Sequence, residues 1–161
     1  MARQQLHLLV ATVTGTAQVM AEDLMPRLTA EFDVRLHLAE DVDSSVFRAG
    51  APLLVFSSTY GKGEVPDPGK PLYEALRALD GGLEGLRYGV VSLGDAVYAQ
   101  TFANGGRLWD KALQAHGAVR LTPLLVLDAS APADPAAALA AWVDLWLAEL
   151  RAQALAPEGT R

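Results

Sequence analysis

Short apolar runs alternate along this chain with longer stretches whose apolar residues recur every three or four positions. Leu6–Ala11 (LHLLVA) is a near-continuous apolar run, the pattern of a strand buried on both faces. Thr16–Glu31 follows with Ala17, Met20, Ala21, Leu24 and Leu28 at helical spacing. Val34–Leu38 alternates Val, Arg, Leu, His, Leu and predicts an edge strand. Pro52–Phe56 and Arg87–Leu93 predict a third and fourth strand, with a helix over Lys70–Leu79 between them. Gly105–His116 predicts a helix ended by Gly117. Val119–Leu127 predicts a fifth strand, but Pro123 near its middle cannot donate to a ladder, so this strand is expected at an edge, split or bulged. Leu139, Trp142, Val143, Trp146, Leu147 and Leu150 form one helical stripe, which predicts packing on the sheet.

Strands alternating with helices predict an α/β fold with a doubly wound parallel sheet. For five strands, the common order 2-1-3-4-5 opens a crevice between the first and third strands, although pattern alone does not fix that order. The 161 residues suffice for one domain with a proper core. Residues 1–152 are expected to form it and 153–161 a flexible tail, with no internal repeats or linkers.

Three polar stretches each follow an apolar run: Thr12–Ala17 (TVTGTA), Ser57–Glu64 (SSTYGKGE) and Ser92–Tyr98 (SLGDAVY). In a parallel sheet these converge on one edge, where such folds bind ligands. Thr12, Thr14 and Thr16 offer hydroxyls, Gly15 lets the backbone turn, and the next helix brings its positive end to the same point. No Lys or Arg lies between residues 4 and 26, so a phosphate here would be held by neutral donors and the helix dipole. Each charge-assisted hydrogen bond contributes about 1.5–3 kcal/mol. The alternative is a hydroxyl-rich helix cap with no ligand. Tyr60, flanked by Gly61 and Gly63, and Tyr98 could sandwich a planar ring, each stacking contact adding about 0.5–1.5 kcal/mol. Negative charge at Glu64, Asp67 and Asp95 would disfavour an anionic ring.

Other chemistries fit poorly. Neither Gly61-Lys62-Gly63 nor Gly69-Lys70-Pro71 completes a nucleoside triphosphate loop, and the former meets Pro66 where a dinucleotide loop needs its third glycine. A phospho-receiver needs acidic groups after the first and third strands, where this chain has Thr12 and Ser57. No nucleophile–base pair stands out, and no catalytic residue or metal site is expected. A net charge of −6 argues against nucleic acid and favours a basic protein partner, the plainer alternative being solubility. The absence of cysteine removes disulfides and thiolate metal sites and fits a reducing compartment. With no long apolar run and no leader-like N-terminus, no membrane association and a cytoplasmic location are expected.

Together the three loops resemble those of the flavodoxin family. STYGKGEVPD with LGDAVY is similar in particular to MioC-type flavodoxins, and to the FMN domains of sulfite reductase and cytochrome P450 reductase. The likeness runs from Leu6 to about Leu150, including YEAL at Tyr73–Leu76. It implies a flavodoxin-like three-layer sandwich with helices on both faces of the sheet, and FMN as cofactor. Thr12, Val13, Thr14, Gly15, Thr16 and Ala17 would wrap the FMN phosphate. Ser58, Thr59, Tyr60 and Gly61 would lie along the ring with Tyr60 against one face, Ser57 and Gly63 would belong to the same site, and the Gly61 peptide would answer the ring's reduction. Leu93, Gly94, Asp95, Tyr98 and Phe102 would enclose the other side. Four departures stand out: Ala17 where many relatives have threonine, Ala96 in place of a serine, one extra residue between Tyr98 and Phe102, and basic Lys62 where an acidic or small residue would be common. The resemblance implies an electron carrier that takes electrons from a flavodoxin reductase-type protein and passes them to an acceptor redox enzyme through an acidic surface. An FMN-dependent oxidoreductase acting on a quinone or similar acceptor, and a flavin-free interaction module, remain as alternatives.

Overall fold

The computed structural model describes residues 3–59, 63–94, 104–128 and 134–155. Its architecture follows from how the central strands divide their side chains. β1 (Gln5–Ala11) sends Leu6, Leu8 and Val10 into one core and Leu9 and Ala11 into another. β3 (Leu53–Ser57) splits Leu54 and Phe56 from Leu53 and Val55. β4 (Arg87–Gly94) splits Val91 from Tyr88 and Val90. Successive side chains in a strand cross to opposite faces, so a strand covered on both sides must be apolar almost throughout. That is why these segments are runs rather than alternations.

The first core is closed by α1 (Thr16–Thr29) and α4 (Pro135–Leu155), the second by α2 (Lys70–Arg77) and α3 (Asn104–Ala115). β2 (Asp33–Leu38) pairs only with β1 and forms the sheet edge. The order is β2-β1-β3-β4-β5, with every pair parallel. The expected order and the helices on both faces are therefore present.

The expected continuous strand over Val119–Leu127 is corrected: β5 (Val119–Arg120) and β6 (Leu125–Asp128) each pair with β4 across an interruption. Pro123 lies in that gap, where its missing N–H breaks the ladder. Its carbonyl accepts from the Trp142 Nε1–H at 2.9 Å, so the gap is braced by α4. The predicted stripe on α4 packs on the sheet as expected, and it does so against a glycine. A Cβ at Gly89 would lie 2.7 Å from ring atoms of both Trp142 and Trp146. α4 continues to Leu155, past the residue 152 where the domain was expected to end; the rest of the expected tail lies outside the described residues. Among the described residues no helix is long and apolar enough to cross a membrane.

One polar pair interrupts the two-sided burial. His7 is 8% exposed on β1, and its Nδ1 lies 2.8 Å from Nε2 of His37 on β2. His7 Nε2 lies 3.2 Å from the Gln5 Oε1, an oxygen that only accepts. His7 therefore carries its proton on Nε2, and the His37 Nε2–H donates to His7 Nδ1. Protonating Nδ1 would set two N–H groups against each other. Burial, then the neighbouring His37 and Arg35, hold the His7 pKa below 6.5; burial, then Arg35, does the same for His37. The unfolded chain thus binds these protons first as pH falls. Stability should be fully present above about 6.5 and decline below it as the folded-state values are approached. Denaturant unfolding at a series of pH values should show that decline. A His7→Gln, His37→Gln double variant should have a flatter profile below about pH 6.5, and an unchanged slope would assign the effect elsewhere.

Candidate functional site

The helix after β1 packs on one face of the sheet and the helix after β3 on the other, so the chain leaves these adjacent strands in opposite directions at their carboxyl ends, where such folds bind ligands. There the Ser58 N–H donates to the Ala11 carbonyl at 3.0 Å, and the Thr12 and Ser58 hydroxyls lie 3.3 Å apart. Thr12 Oγ1 also accepts from the Gly15 N–H at 3.1 Å, closing the first loop. Gly15 holds φ at +90°, a left-handed conformation that suits glycine, and it precedes α1 without any side-chain cap. The first amides of α1 have no acceptor within the helix and none from a capping side chain. Beside them the exposed hydroxyls of Thr14 and Thr16 lie 3.3 Å apart. Val13 is exposed, whereas Ala17 is buried in the first core.

The second stretch divides differently from expectation. Ser57 is fully buried, and its hydroxyl accepts from Trp109 Nε1–H at 3.1 Å and donates to the Ser58 carbonyl at 3.0 Å. Thr59 Oγ1 donates to the Leu93 carbonyl at 3.0 Å and accepts from the Gly105 N–H at 2.9 Å. Both hydroxyls are engaged within the protein. Gly63 is buried with φ at +93°. Leu93 and Gly94 end β4, half-buried. Tyr60, Gly61, Asp95, Tyr98 and Phe102 lie outside the described residues.

Glu64 and Asp67 are exposed, but Lys70 Nζ lies 2.7 Å from one and 2.8 Å from the other. One ammonium between two carboxylates offsets part of the negative field that the sequence reading assigned to them. Those bonds raise the Lys70 pKa and keep it charged.

Several residues that frame the site were missed from sequence. A Cβ at Gly105 would lie 2.1 Å from the Ser58 carbonyl oxygen, and one at Gly106 would lie 2.3 Å from the Ser92 Cβ. The Gly106 N–H donates to Ser92 Oγ at 2.9 Å, and Asn104 Nδ2 donates to the Gly63 carbonyl. The start of α3 is thus pressed onto the exits of β3 and β4. Two glycines opening a helix, each costing about 1 kcal/mol against alanine, were the available signal.

The protein-family model described as Flavodoxin matches residues 8–142. The chain belongs to the flavodoxin family. Flavodoxin YqcA of Pectobacterium carotovorum subsp. carotovorum is 37% identical over 143 residues, covering 88% of this chain and 94% of its own. A solved mutant flavodoxin from Pseudomonas aeruginosa matches with a TM-score of 0.81 at 31% identity, over 92% of this chain and 99% of that one. The NADPH sulfite reductase flavoprotein alpha-component of Bacillus subtilis (strain 168) is 31% identical over 127 residues, which is 78% of this chain and 21% of that protein.

Flavodoxins are FMN-binding electron carriers, and this flavodoxin is an FMN-binding member of the family. The donor set at Thr12–Ala17 fits the phosphate end of that cofactor: free helix amides, two exposed hydroxyls and a left-handed glycine, with no cation in the loop. The close approach of α3 is testable. Gly105→Ala should lower stability by about 1–3 kcal/mol through overpacking against backbone that cannot yield. Gly85, whose added Cβ meets nothing within 4 Å, is the control, with Gly85→Ala expected within about 0.5 kcal/mol of the parent. Denaturant titrations of the two variants check this, and equal stabilities would refute the packing argument.

Proposed function

We propose that this flavodoxin takes electrons from a separate reductase and delivers them to an acceptor redox enzyme, with FMN lodged at the carboxyl edge of the sheet. The observation that carries this reading is the uncapped start of α1 behind Gly15, flanked by the Thr14 and Thr16 hydroxyls and free of cations. Thr12 shapes the loop, while the amides of Thr16 and Ala17 and the two hydroxyls receive the phosphate. Ser58, Tyr60, Gly61 and Gly63 line one side of the ring; Leu93, Gly94, Asp95, Tyr98 and Phe102 line the other. Ser57 and Thr59 belong to the site as internal struts. Bound FMN supplies a ring that accepts and releases electrons; the protein binds it, orients it and limits water around it. Residues 1–152 form the binding domain in this reading, and the location is the cytoplasm.

The partner assignment draws on charge. A net charge of −6 steers a basic surface toward the carrier, an effect that weakens as salt screens it.

Two outcomes test the reading. Apoprotein should bind FMN far more tightly than riboflavin in parallel fluorescence titrations. Thr14→Val should weaken FMN by about tenfold, since a bond to a charged group is lost, and leave riboflavin within about twofold. Equal affinities of the parent for the two flavins would mean that no phosphate is read. In anaerobic absorbance traces, NADPH alone should bleach the flavin slowly, and a flavodoxin reductase should accelerate it. Fast bleaching by NADPH in the pure protein would instead favour a direct oxidoreductase.

A further inference from the structure

The chain has no cysteine, so its three histidines are the side chains best suited to a transition metal. Two of them meet. Leu9 on β1 stands opposite His37 on β2, which puts His37 on the sheet face that Leu9 shares with His7. There His7 Nδ1 and His37 Nε2 lie 2.8 Å apart. The connection from β2 to β3 crosses this face as two short 3-10 turns, Ala39–Asp41 and Ser44–Arg48, rather than as a full helix. A cavity of about 340 Å³ remains beside them, with both imidazoles on its wall and the exposed Asp41, Asp43 and Ser45 also lining it. A water molecule's share of liquid volume is about 30 Å³, so the space admits an ion together with several waters.

We infer that His7 and His37 form a site for one divalent transition metal of tetragonal preference, copper or nickel, with water in the remaining positions. Two nitrogens each about 2.0 Å from an ion, at about 90° to one another, are separated by about 2.8 Å, which is the spacing found here. A tetrahedral ion would require about 3.3 Å. The protons rearrange without loss. His7 keeps its proton on Nε2, 3.2 Å from the Gln5 Oε1, so its Nδ1 lone pair already faces His37. His37 moves its one proton from Nε2 to Nδ1, and both lone pairs then face a single ion. An imidazole ligand is commonly oriented by donating its other N–H to an oxygen, and Gln5 supplies that oxygen to His7. The opposing charge of Arg35 is engaged by Asp33 through hydrogen bonds of 3.2 and 3.0 Å, while the carboxylates of Asp41 and Asp43 favour a positive ion in the cavity. Among the described residues no third histidine or carboxylate completes the set, so the ion has two protein ligands and exchanges with solution. Neither histidine belongs to the stretches assigned to FMN, and the site does not depend on that assignment.

The test uses the full chain with oxidised flavin bound, titrated with nickel chloride alone in a calorimeter and with copper(II) chloride alone for electron paramagnetic resonance. One nickel ion should bind per chain and raise the midpoint of denaturant unfolding, because the ion ties β2 to β1 only in the folded state. His37→Gln should weaken nickel binding by at least about tenfold and cancel that rise. His116→Gln removes the third histidine, whose Nδ1 accepts from the Gly81 N–H at 3.1 Å, and should bind nickel as the parent does. Magnesium chloride, whose ion prefers oxygen ligands, should neither bind nor stabilise. The copper signal of the parent should carry the splitting of two imidazole nitrogens, a readout that requires no variant to fold. Absence of nickel binding by the parent, equal binding by the parent and His37→Gln, or a copper signal without two nitrogens would each overturn the inference. The pair would then be a hydrogen bond within the fold and nothing more.

Discussion

The pairing of β1 with β3, with their following helices on opposite faces, is the constraint on which the site depends. Burying Leu6, Leu8 and Val10 on one side and Leu9 and Ala11 on the other needs two layers of helix. Once α1 and α2 diverge to supply them, the chain leaves the carboxyl ends of the two strands in opposite directions, the arrangement that opens a crevice there. Polar residues belong there because exposed backbone ends must be satisfied by water, side chains or a ligand. The site is therefore what remains when the core has been closed.

Electrostatics then decides what the edge can hold. An acidic chain would ordinarily repel an anion, yet the start of α1 offers amides and hydroxyls with no carboxylate in the Thr12–Ala17 loop. Such donors are short-ranged and directional, so they suit a phosphate delivered by a ring that is itself held nearby, more than a free ion drawn from solution. Lys70, bridging Glu64 and Asp67, moderates the negative charge on the neighbouring stretch without adding a cation to the loop.

Much of this was legible in sequence because burial writes a period. β1, β3 and β4 stand out as runs, the α4 stripe stands out at helical spacing, and TVTGTA stands out as hydroxyls between a strand and a helix. The interruption at Pro123 was readable from its missing donor, though not its placement between two short strands on β4. What stayed hidden was pairing at a distance. Ser57 and Thr59 read as parts of the ring-side loop, since nothing local places Trp109 against one hydroxyl or Gly105 against the other. Gly89 looked like an ordinary residue of a strand, because the indoles that require its bare Cα lie more than fifty positions away. Tyr60, Gly61, Asp95, Tyr98 and Phe102 fall outside the described residues, so their roles rest on the family resemblance.

The hydroxyls at this edge divide their labour. Those of Thr12, Ser57, Thr59 and Ser92 tie the strand exits to their neighbours, while those of Thr14 and Thr16 pair with each other at the exposed surface. The inward set joins β1, β3, β4 and α3 before any ligand arrives, so binding need not order these anchors, and that entropy is not charged against affinity. Gly105 and Gly106 make this joining possible, because only a bare Cα lets α3 approach β3 and β4 closely enough for their exits to reach its amides.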